Sequence, residues 1–153
     1  MNARLSGDRE AGFTLIELLV VMLILGILAA IAIPAFFNQR DKGTDAQAKA
    51  AVRTAQTAIE TWATEHGGSY EKSGGTDPTA AELSAIEPTL QTSGDNAISV
   101  VAASATGYTV RSTSGTGNTF DIERTGGTVN FDCALKAGET DRGGCPEGGN
   151  WNE

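Results

Sequence analysis

The chain has 153 residues, 19 glycines, 6% aromatic residues and a formal net charge of -8. This length fits one domain, and such a composition is typical of a small core with many turns rather than of a large packed enzyme. Most of the acidic residues are spread from Asp41 to Glu153, so most of the surface repels phosphate backbones and we expect no nucleic-acid partner.

The first twelve residues are polar and precede a long apolar segment. Residues 1–12 read MNARLSGDREAG, and their charged side chains sum to zero. Residues 13–37 read FTLIELLVVMLILGILAAIAIPAFF. A helix of this second segment rises about 37 Å, enough to cross a bilayer core of about 30 Å. Residues 13–37 are therefore predicted to span a membrane.

Three residues distinguish the apolar segment from a plain membrane anchor. Glu17 lies inside it, where an ionised carboxylate is costly unless it is paired or near the interface. Pro34 removes a backbone donor and Gly26 has a low helix propensity, so both are predicted helix breaks. A kinked anchor whose acid reaches the interface is one interpretation. Cleavage by signal peptidase at an Ala30-x-Ala32 site is another, but the absence of net positive charge before the span and the presence of Glu17 count against it.

The junction between the two segments resembles a known processing site. Residues 12–18 read GFTLIEL, which is similar to the leader junction of type IV prepilins and type II secretion pseudopilins, and the resemblance extends over residues 7–66. It implies that Gly12 ends a leader peptide, residues 1–12, and that a prepilin peptidase cuts before Phe13. It also implies that the same enzyme methylates the new amino group of Phe13, and that Glu17 and Pro34 are the family's acidic residue and helix-breaking proline.

Glu17 has a physical role under this resemblance. After cleavage, Phe13 carries a positively charged secondary amine in the apolar layer, and an opposite charge within about 4–6 Å favours the charged forms of both groups. We expect the carboxylate of Glu17, in the same subunit or a neighbouring one, to pair with this amine during assembly. A misplaced subunit would leave both charges buried and unpaired, so the pair would select the correct axial register.

Residues 38–66 have the pattern of an amphipathic helix. Apolar side chains recur at alternating four- and three-residue spacing, at Ala48, Val52, Ala55, Ile59 and Trp62. We predict one helix, Phe13 to His66, about 80 Å long, with a transmembrane first half and a second half that packs on a globular head. Two helices joined near residues 38–44 are the alternative.

The basic residues that follow the apolar segment allow two interpretations. They are Arg40, Lys42, Lys49 and Arg53, and the acids Asp41 and Asp45 are interleaved with them. They could be a positive-inside signal or an exposed stripe on the helix, and the interleaved acids favour the exposed stripe.

Residues 67–153 are predicted to form the head. The pair Gly67-Gly68 ends the long helix, and Thr79 with Glu82 fits a capping box for a short helix that ends near Ile86. Three or four strands are predicted beyond it, from segments at 97–103, 108–112, 119–124 and 128–133, with partial apolar alternation at Val110, Phe120, Ile122, Val129 and Phe131. A hairpin turn is expected at Gly126-Gly127. The predicted fold class is α+β: a long N-terminal helix packed on a small antiparallel β-meander, as in the pilin fold that the resemblance implies.

The two cysteines, Cys133 and Cys145, are predicted to form a disulfide because their count is even, their spacing is short and the chain has the features of an exported protein. They and the single histidine, His66, supply too few ligands for zinc. The acidic residues of the tail could hold calcium, but their spacing matches no EF-hand and solvated acids are the simpler interpretation. These residues are Asp132, Glu139, Asp141 and Glu147. We therefore expect no metal and no cofactor.

The sequence carries no catalytic signature, and we expect a structural protein rather than an enzyme. Trp62 and Trp151 are candidate binding aromatics, although Trp62 fits a core position. The resemblance implies a subunit of a type IV pilus-like filament that is held in the cytoplasmic (inner) membrane by a single pass and then polymerises into a cell-surface filament. Its implied partners are copies of itself, membrane lipid before assembly, a prepilin peptidase that is also an N-methyltransferase, an inner-membrane platform protein and an assembly ATPase.

Three alternatives stay open. A type II secretion or competence pseudopilin would share the processing and the fold. A membrane-tethered binding module would keep residues 1–12 and would not depend on Glu17. A secreted enzyme would begin near Ile33 and lack the apolar helix.

Overall fold

The computed structural model describes residues 12–140 and 142–152, and the chain divides into two compact units, Met1–Phe37 and Asn38–Glu153. Helix α1 (Leu15–Glu65) contributes its first part to one unit and the remainder to the other. The second unit also contains helix α2 (Ala80–Ile86) and four strands. Most of the predicted leader, residues 1–11, lies outside the described residues.

Helix α1 is one continuous element. The alternative of two helices joined near residues 38–44 is therefore wrong. The helix also passes through Gly26 and Pro34 without ending at either of them. The predicted breaks thus do not divide α1, and a local weakening at these two residues stays a prediction.

Both ends of α1 are closed by recognisable caps. At the start, the side chain of Thr14 accepts the N–H of Glu17, and the Glu17 carboxylate accepts the N–H of Thr14. At the end, the N–H of Gly68 donates to the carbonyl of Ala63 at 2.7 Å, with Gly67 and Gly68 both at positive φ. This is the glycine termination that the sequence predicts.

Four antiparallel strands form one sheet in the order β1-β2-β3-β4. The strands are β1 (Ala97–Ala103), β2 (Gly107–Thr113), β3 (Thr119–Thr125) and β4 (Thr128–Ala134). The predicted meander is confirmed, with strand ends that differ from the prediction by one residue at most. Gly126 and Gly127 turn the chain between the paired Thr125 and Thr128, and Gly126 has a φ of 61°, which a tight hairpin requires.

The core of the second unit lies between α1 and one face of the sheet. The predicted apolar stripe of α1 is buried throughout, at Ala48, Val52, Ala55, Ile59 and Trp62. Val110, Phe120 and Ile122 alternate onto the same core from β2 and β3 and are fully buried. Val129 and Phe131 on β4 are only half-buried. The long apolar N-terminal helix packed on a four-stranded antiparallel sheet is the predicted α+β fold.

Helix α2 forms where the capping box predicts it. Thr79 and Glu82 exchange backbone-to-side-chain hydrogen bonds, and the helix buries Leu83 in the core. The carboxylate of Glu82 also pairs with Lys72 at 2.7 Å. The cap therefore joins the start of α2 to the loop that follows α1.

Other segments of the chain cover parts of both edges of the sheet. On β4, Cys133 donates to the carbonyl of Gly149, and Trp151 donates to the carbonyl of Phe131. On β1, Ile98 donates to a carbonyl of the preceding loop, and Ala103 donates to the carboxylate of Asp77. These contacts reduce the backbone that another chain could pair with by strand addition.

Candidate assembly segment and the contacts that hold the head

The first unit presents a continuous apolar surface. Every described residue from Gly12 to Phe37 is exposed, with Phe13 at 84% and Ile31 at 72% of full exposure. By length and composition, α1 is the one helix in the described part of the chain that could cross a membrane. An apolar surface of this extent is unstable in water and must be covered by lipid or by other protein chains.

Glu17 is the one ionisable side chain in residues 12–37. Its Oε2 accepts hydrogen bonds from the backbone N–H of Thr14 at 2.8 Å and from the Thr14 hydroxyl at 2.7 Å. Glu17 also lines a shallow apolar recess with Phe13, Ile16 and Val20. Since both bonds from Thr14 end on Oε2, the Oε1 atom can accept a further donor. The roles that the sequence assigns to Gly12, Phe13 and Glu17 in cleavage, methylation and charge pairing stay predictions.

No contact described within the chain requires glycine at position 26 or proline at position 34. A Cβ atom added at Gly26 would meet no other atom within 4 Å, so a larger residue would fit there in the single subunit. Pro34 lies inside α1, where it cannot donate a backbone hydrogen bond. Any requirement for these two residues must therefore come from helix flexibility or from neighbouring molecules.

Asp45 on α1 is fully buried, although the sequence predicted an exposed stripe of charged residues over 40–53. Its carboxylate accepts the Thr116 hydroxyl at 2.6 Å, the Asn118 amide at 3.0 Å and the Gly144 N–H at 2.7 Å. We call these four residues the Asp45 cradle. It joins α1 to the turn between β2 and β3 and to the segment before Cys145.

Hydrogen bonds from the cradle and from Ser114 stabilise the charged form of Asp45. Burial by itself raises the pKa of this carboxyl, but hydrogen bonds from Ser114, Thr116, Gly144 and Asn118 outweigh burial and hold the pKa below its ordinary value. A charged carboxylate can remain in the interior because its lone pairs are satisfied.

Lys49 and Arg53 on α1 pack against aromatic rings. The ammonium of Lys49 lies 5.4 Å from the centre of the Phe120 ring, and the guanidinium of Arg53 lies 5.0 Å from that of Trp151. Arg53 also donates to the side chain of Asn152 at 2.9 Å. Arg53 is exposed, as predicted for the stripe, whereas Lys49 is half-buried. Both cations contact the ring of Trp151 and so help to hold the C-terminal segment on α1 through cation–π contacts.

Trp151 is a core residue in this structure. It is 5% exposed, its ring meets those of Phe120 and Phe131 edge-on, and its indole N–H donates to the carbonyl of Asp132 at 2.8 Å. The surface-binding role considered for Trp151 is therefore wrong. Trp62 is buried as predicted, with its ring stacked on that of His66 at 3.8 Å.

Glu60 is the second polar junction between α1 and the head. Its carboxylate accepts the hydroxyls of Tyr70 and Tyr108, each at 2.9 Å, and pairs with Arg124 at 2.8 Å. Burial and the hydrogen bond to Glu60 raise the pKa of Tyr108. Glu60 thereby connects α1 to the following loop, to β2 and to β3.

The predicted disulfide between Cys133 and Cys145 is confirmed. It joins the end of β4 to the segment that contributes Gly144 to the Asp45 cradle. Within the described residues, no group of three or more His, Cys, Asp or Glu side chains is placed to hold a metal ion. Asp141, one of the acids considered for calcium, lies outside those residues.

Each of the comparisons with known proteins covers less than half of the chain. The model of the prokaryotic N-terminal methylation motif matches residues 7–33. Prepilin peptidase-dependent protein D of Escherichia coli is 43% identical over 70 residues, which are 46% of this chain and 48% of that protein. Type IV major pilin protein PilA of Myxococcus xanthus is 48% identical over 50 residues, 33% of this chain and 23% of that protein.

A secretion protein shows a similar match. Type II secretion system core protein G of Pectobacterium carotovorum is 34% identical over 55 residues, 36% of this chain and 35% of that protein. The chain thus spans less than half the length of each of these curated relatives. No solved structure is significantly similar to this chain.

Residues 7–33 thus match a prokaryotic N-terminal methylation motif, and parts of the chain are similar to a type IV major pilin and to a type II secretion core protein. Helix α1, which begins within the matched residues, packs on a four-stranded antiparallel sheet in a pilin-like arrangement.

Proposed function

We propose that this chain is the structural subunit of a type IV pilus-like filament. In this proposal it is made as a membrane-anchored prepilin, cleaved after Gly12, N-methylated at Phe13 and polymerised through its N-terminal helix. The observation that carries the proposal is the methylation motif at residues 7–33, which overlaps an apolar segment, residues 13–37, that is exposed throughout.

The exposed surface of residues 13–37 supplies the driving force for assembly. Apolar area removed from water contributes about 25 cal/mol per Å², so burial of several such side chains per neighbour stabilises a polymer strongly. In the membrane the same residues contact lipid, and in the filament they would contact the helices of neighbouring copies. Repetition of one contact by a helical operator gives an open filament rather than a closed ring.

The proposal assigns a role to each segment of the chain. Residues 1–12 are the leader, 13–37 the transmembrane segment that becomes the filament core, 38–66 the amphipathic helix, and 67–153 the globular head with its β-meander. The Asp45 cradle and the contacts of Glu60 fix the head on the amphipathic part of α1. The charge of Glu17 would pair with the methylated amine of Phe13 and select the register of the subunit.

The proposal includes partners and a location. The subunit would cross the cytoplasmic (inner) membrane once and then enter a filament on the cell surface. A prepilin peptidase that also methylates, an inner-membrane platform protein and an assembly ATPase would act on it. The chain itself would be structural, with no enzymatic activity, no cofactor and no nucleic-acid ligand.

A secretion pseudopilus is the second candidate, and the similarity to type II secretion system core protein G supports it. Competence pseudopilins would fit the same processing. Deletion of the gene followed by imaging of surface filaments and a secretion assay separates these functions. Loss of filaments with normal secretion supports the pilus, whereas lost secretion with normal surface filaments supports the pseudopilus.

The N-terminus of the mature protein tests the processing directly. Intact mass and terminal sequencing of the chain from a membrane or filament fraction should give a start at N-methylated Phe13. A chain that keeps residues 1–12 would indicate a tethered binding module, and a start near Ile33 would indicate a secreted protein. Either result would overturn the proposed assembly.

A further inference from the structure

The segment before Cys145 approaches α1 more closely than any side chain would allow. A Cβ atom added at Gly143 would lie 2.5 Å from the carboxylate Oδ2 of Asp45, and one added at Gly144 would lie 2.7 Å from the Asp45 Cβ. Gly143 also has a φ of 50°. Two consecutive glycines are thus required for the backbone to wrap around this carboxylate.

Asn118 connects the Asp45 carboxylate to both ends of the loop between Cys133 and Cys145. Its amide N–H2 donates to Asp45 and, at 3.5 Å, to the carbonyl of Arg142. Its carbonyl oxygen accepts the N–H of Lys136 at 3.0 Å. Lys136 lies just beyond Cys133 and Arg142 just before Cys145, so Asn118 holds the loop near each of its two cysteines.

Asp45 therefore acts on the loop by two routes. Directly, its carboxylate holds the N–H of Gly144, which is the neighbour of Cys145. Indirectly, it fixes the Asn118 side chain that binds Lys136 and Arg142. All of these contacts require α1 and the β2–β3 turn to be packed together already, because Asp45 and Asn118 belong to those two elements.

We propose that Asp45 is a positioning residue for the disulfide: it shapes the loop between Cys133 and Cys145, so that the disulfide closes readily only after the head has packed on α1. The disulfide and the Asp45 cradle are then coupled. If the cradle raises the equilibrium constant for disulfide formation by some factor, the disulfide raises the equilibrium constant for formation of the cradle by the same factor. This inference concerns the fold of the head and does not depend on filament assembly.

The oxidation step needs a disulfide-donating thiol oxidant, for which glutathione disulfide serves as the probe. The thiolate of one cysteine attacks glutathione disulfide, forms a mixed disulfide and releases one glutathione thiolate. The thiolate of the second cysteine then displaces the other glutathione. The new S–S bond joins Cys133 to Cys145, and the two electrons and two protons that the cysteines lose are found on two glutathione thiols.

The test is an equilibrium between the full-length chain, in detergent micelles, and mixtures of reduced and oxidised glutathione. The disulfide fraction is read by mass spectrometry after alkylation of free thiols. Replacement Asp45→Asn should lower the equilibrium constant for disulfide formation at least tenfold, because an amide N–H2 then faces the donors of the cradle. A matched control, Leu83→Ala, removes a buried core side chain away from the loop and should leave the constant within about twofold of wild type.

The inference is overturned if Asp45→Asn leaves the constant unchanged, or if Leu83→Ala lowers it equally. A second measurement needs no substitution and remains valid if Asp45→Asn fails to fold. The carboxyl of Asp45 is titrated by NMR in the oxidised and the reduced native chain, and its pKa should be higher after reduction. Equal values in both forms would show that the cradle and the disulfide are independent.

Charged side chains near the Asp45 carboxylate are common to the oxidised and the reduced chain. They are Lys49 and Asp41 on α1, Glu139 and Arg142 in the loop, and Asp95 beside the β2–β3 turn. Lys49→Met serves as a reference, since it removes a cation that interacts with Asp45 and is not part of the loop. The difference in the pKa of Asp45 between oxidised and reduced chains should persist in this variant, and its disappearance would contradict the proposal.

Discussion

Glu17 caps the helix that it belongs to: its carboxylate Oε2 lies 2.8 Å from the backbone nitrogen of Thr14 and 2.7 Å from the Thr14 hydroxyl. The same carboxylate is the one that we propose to pair with the amine of Phe13 in the filament. Since the cap occupies only Oε2, both interactions are compatible. The cap would also orient the carboxylate toward the side of α1 where the amine lies, one residue before Thr14.

Charge and capping can be separated by two substitutions. Glu17→Gln keeps an oxygen that can accept from Thr14 but removes the charge, so we expect filament yield to fall at least about tenfold, since it leaves a buried amine unpaired. Thr14→Val removes the hydroxyl and keeps the charge, and should reduce the yield much less. Sheared filaments are quantified against total subunit. Equal yields for wild type and Glu17→Gln would refute the charge pairing.

Gly26 offers a test of helix flexibility in assembly. Gly26→Ala meets no atom within the subunit and should stabilise the helix by about 1 kcal/mol. If assembly requires a weak point in α1, this variant should accumulate in the membrane and give fewer filaments despite normal processing. The matched change Ala29→Gly weakens the helix three residues away and should not impair assembly in the same way. Normal filament yield from Gly26→Ala would remove the predicted helix break from the mechanism.

The parts of the fold that depend on local pattern were predictable. The apolar stripe ending at Trp62, the capping box of Thr79 and the glycine turn after Thr125 each use residues a few positions apart. Their physical causes are helical periodicity, satisfaction of N–H groups and access to positive φ. The same capping pattern occurs at Thr14 and Glu17, where an acid within an apolar segment also indicates a role in assembly.

The polar interior of the head was not predictable in this way. Asp45 is separated by 71, 73 and 99 residues from the groups that bond its carboxylate, at Thr116, Asn118 and Gly144. A charged residue beside Lys49 on a helix has the local pattern of a solvated stripe. Its burial follows only from where the disulfide loop packs, which no spacing along α1 encodes. The adjacent glycines Gly143-Gly144 were the available sequence signal for a close approach.

Stability against acid should depend on Asp45. Its pKa is lowered in the folded chain, so its contribution is fully present above the unfolded pKa near 3.9 and is lost as the pH falls through the lower folded value. Asp45→Asn should therefore lower the unfolding free energy by about 2 kcal/mol at pH 7, and by less at pH 3. Thermal unfolding of the full chain in detergent at several pH values measures this. A loss that does not shrink in acid would mean that the charge of Asp45 is not what the cradle stabilises.

Removal of the Glu60 carboxylate should destabilise the second polar junction between α1 and the head. Glu60→Ala takes away the acceptor of two tyrosine hydroxyls, and the more buried of them, on Tyr108, would be left without this bond. A buried hydroxyl whose proton has lost its acceptor costs about 1–3 kcal/mol, so we expect a clear fall in the melting temperature. Glu60→Gln keeps an acceptor and should lose less, although it gives up the ion pair with Arg124. Equal melting temperatures for wild type and Glu60→Ala would show that water replaces the carboxylate without cost.

The cap of α2 should depend on the protonation state of one residue, Glu82. The hydrogen bond from Lys72, followed by those from Thr79, lowers the pKa of Glu82 to about 2. Because the folded pKa is depressed, the cap is intact above the unfolded pKa near 4.3 and opens as the pH falls toward 2. Lys72→Met should raise the pKa of Glu82 more than Thr79→Ser does, since Ser keeps a hydroxyl that can cap the helix. NMR titration of the Glu82 carboxyl in the two variants measures the difference, and identical values would show that the ion pair with Lys72 contributes nothing in solution.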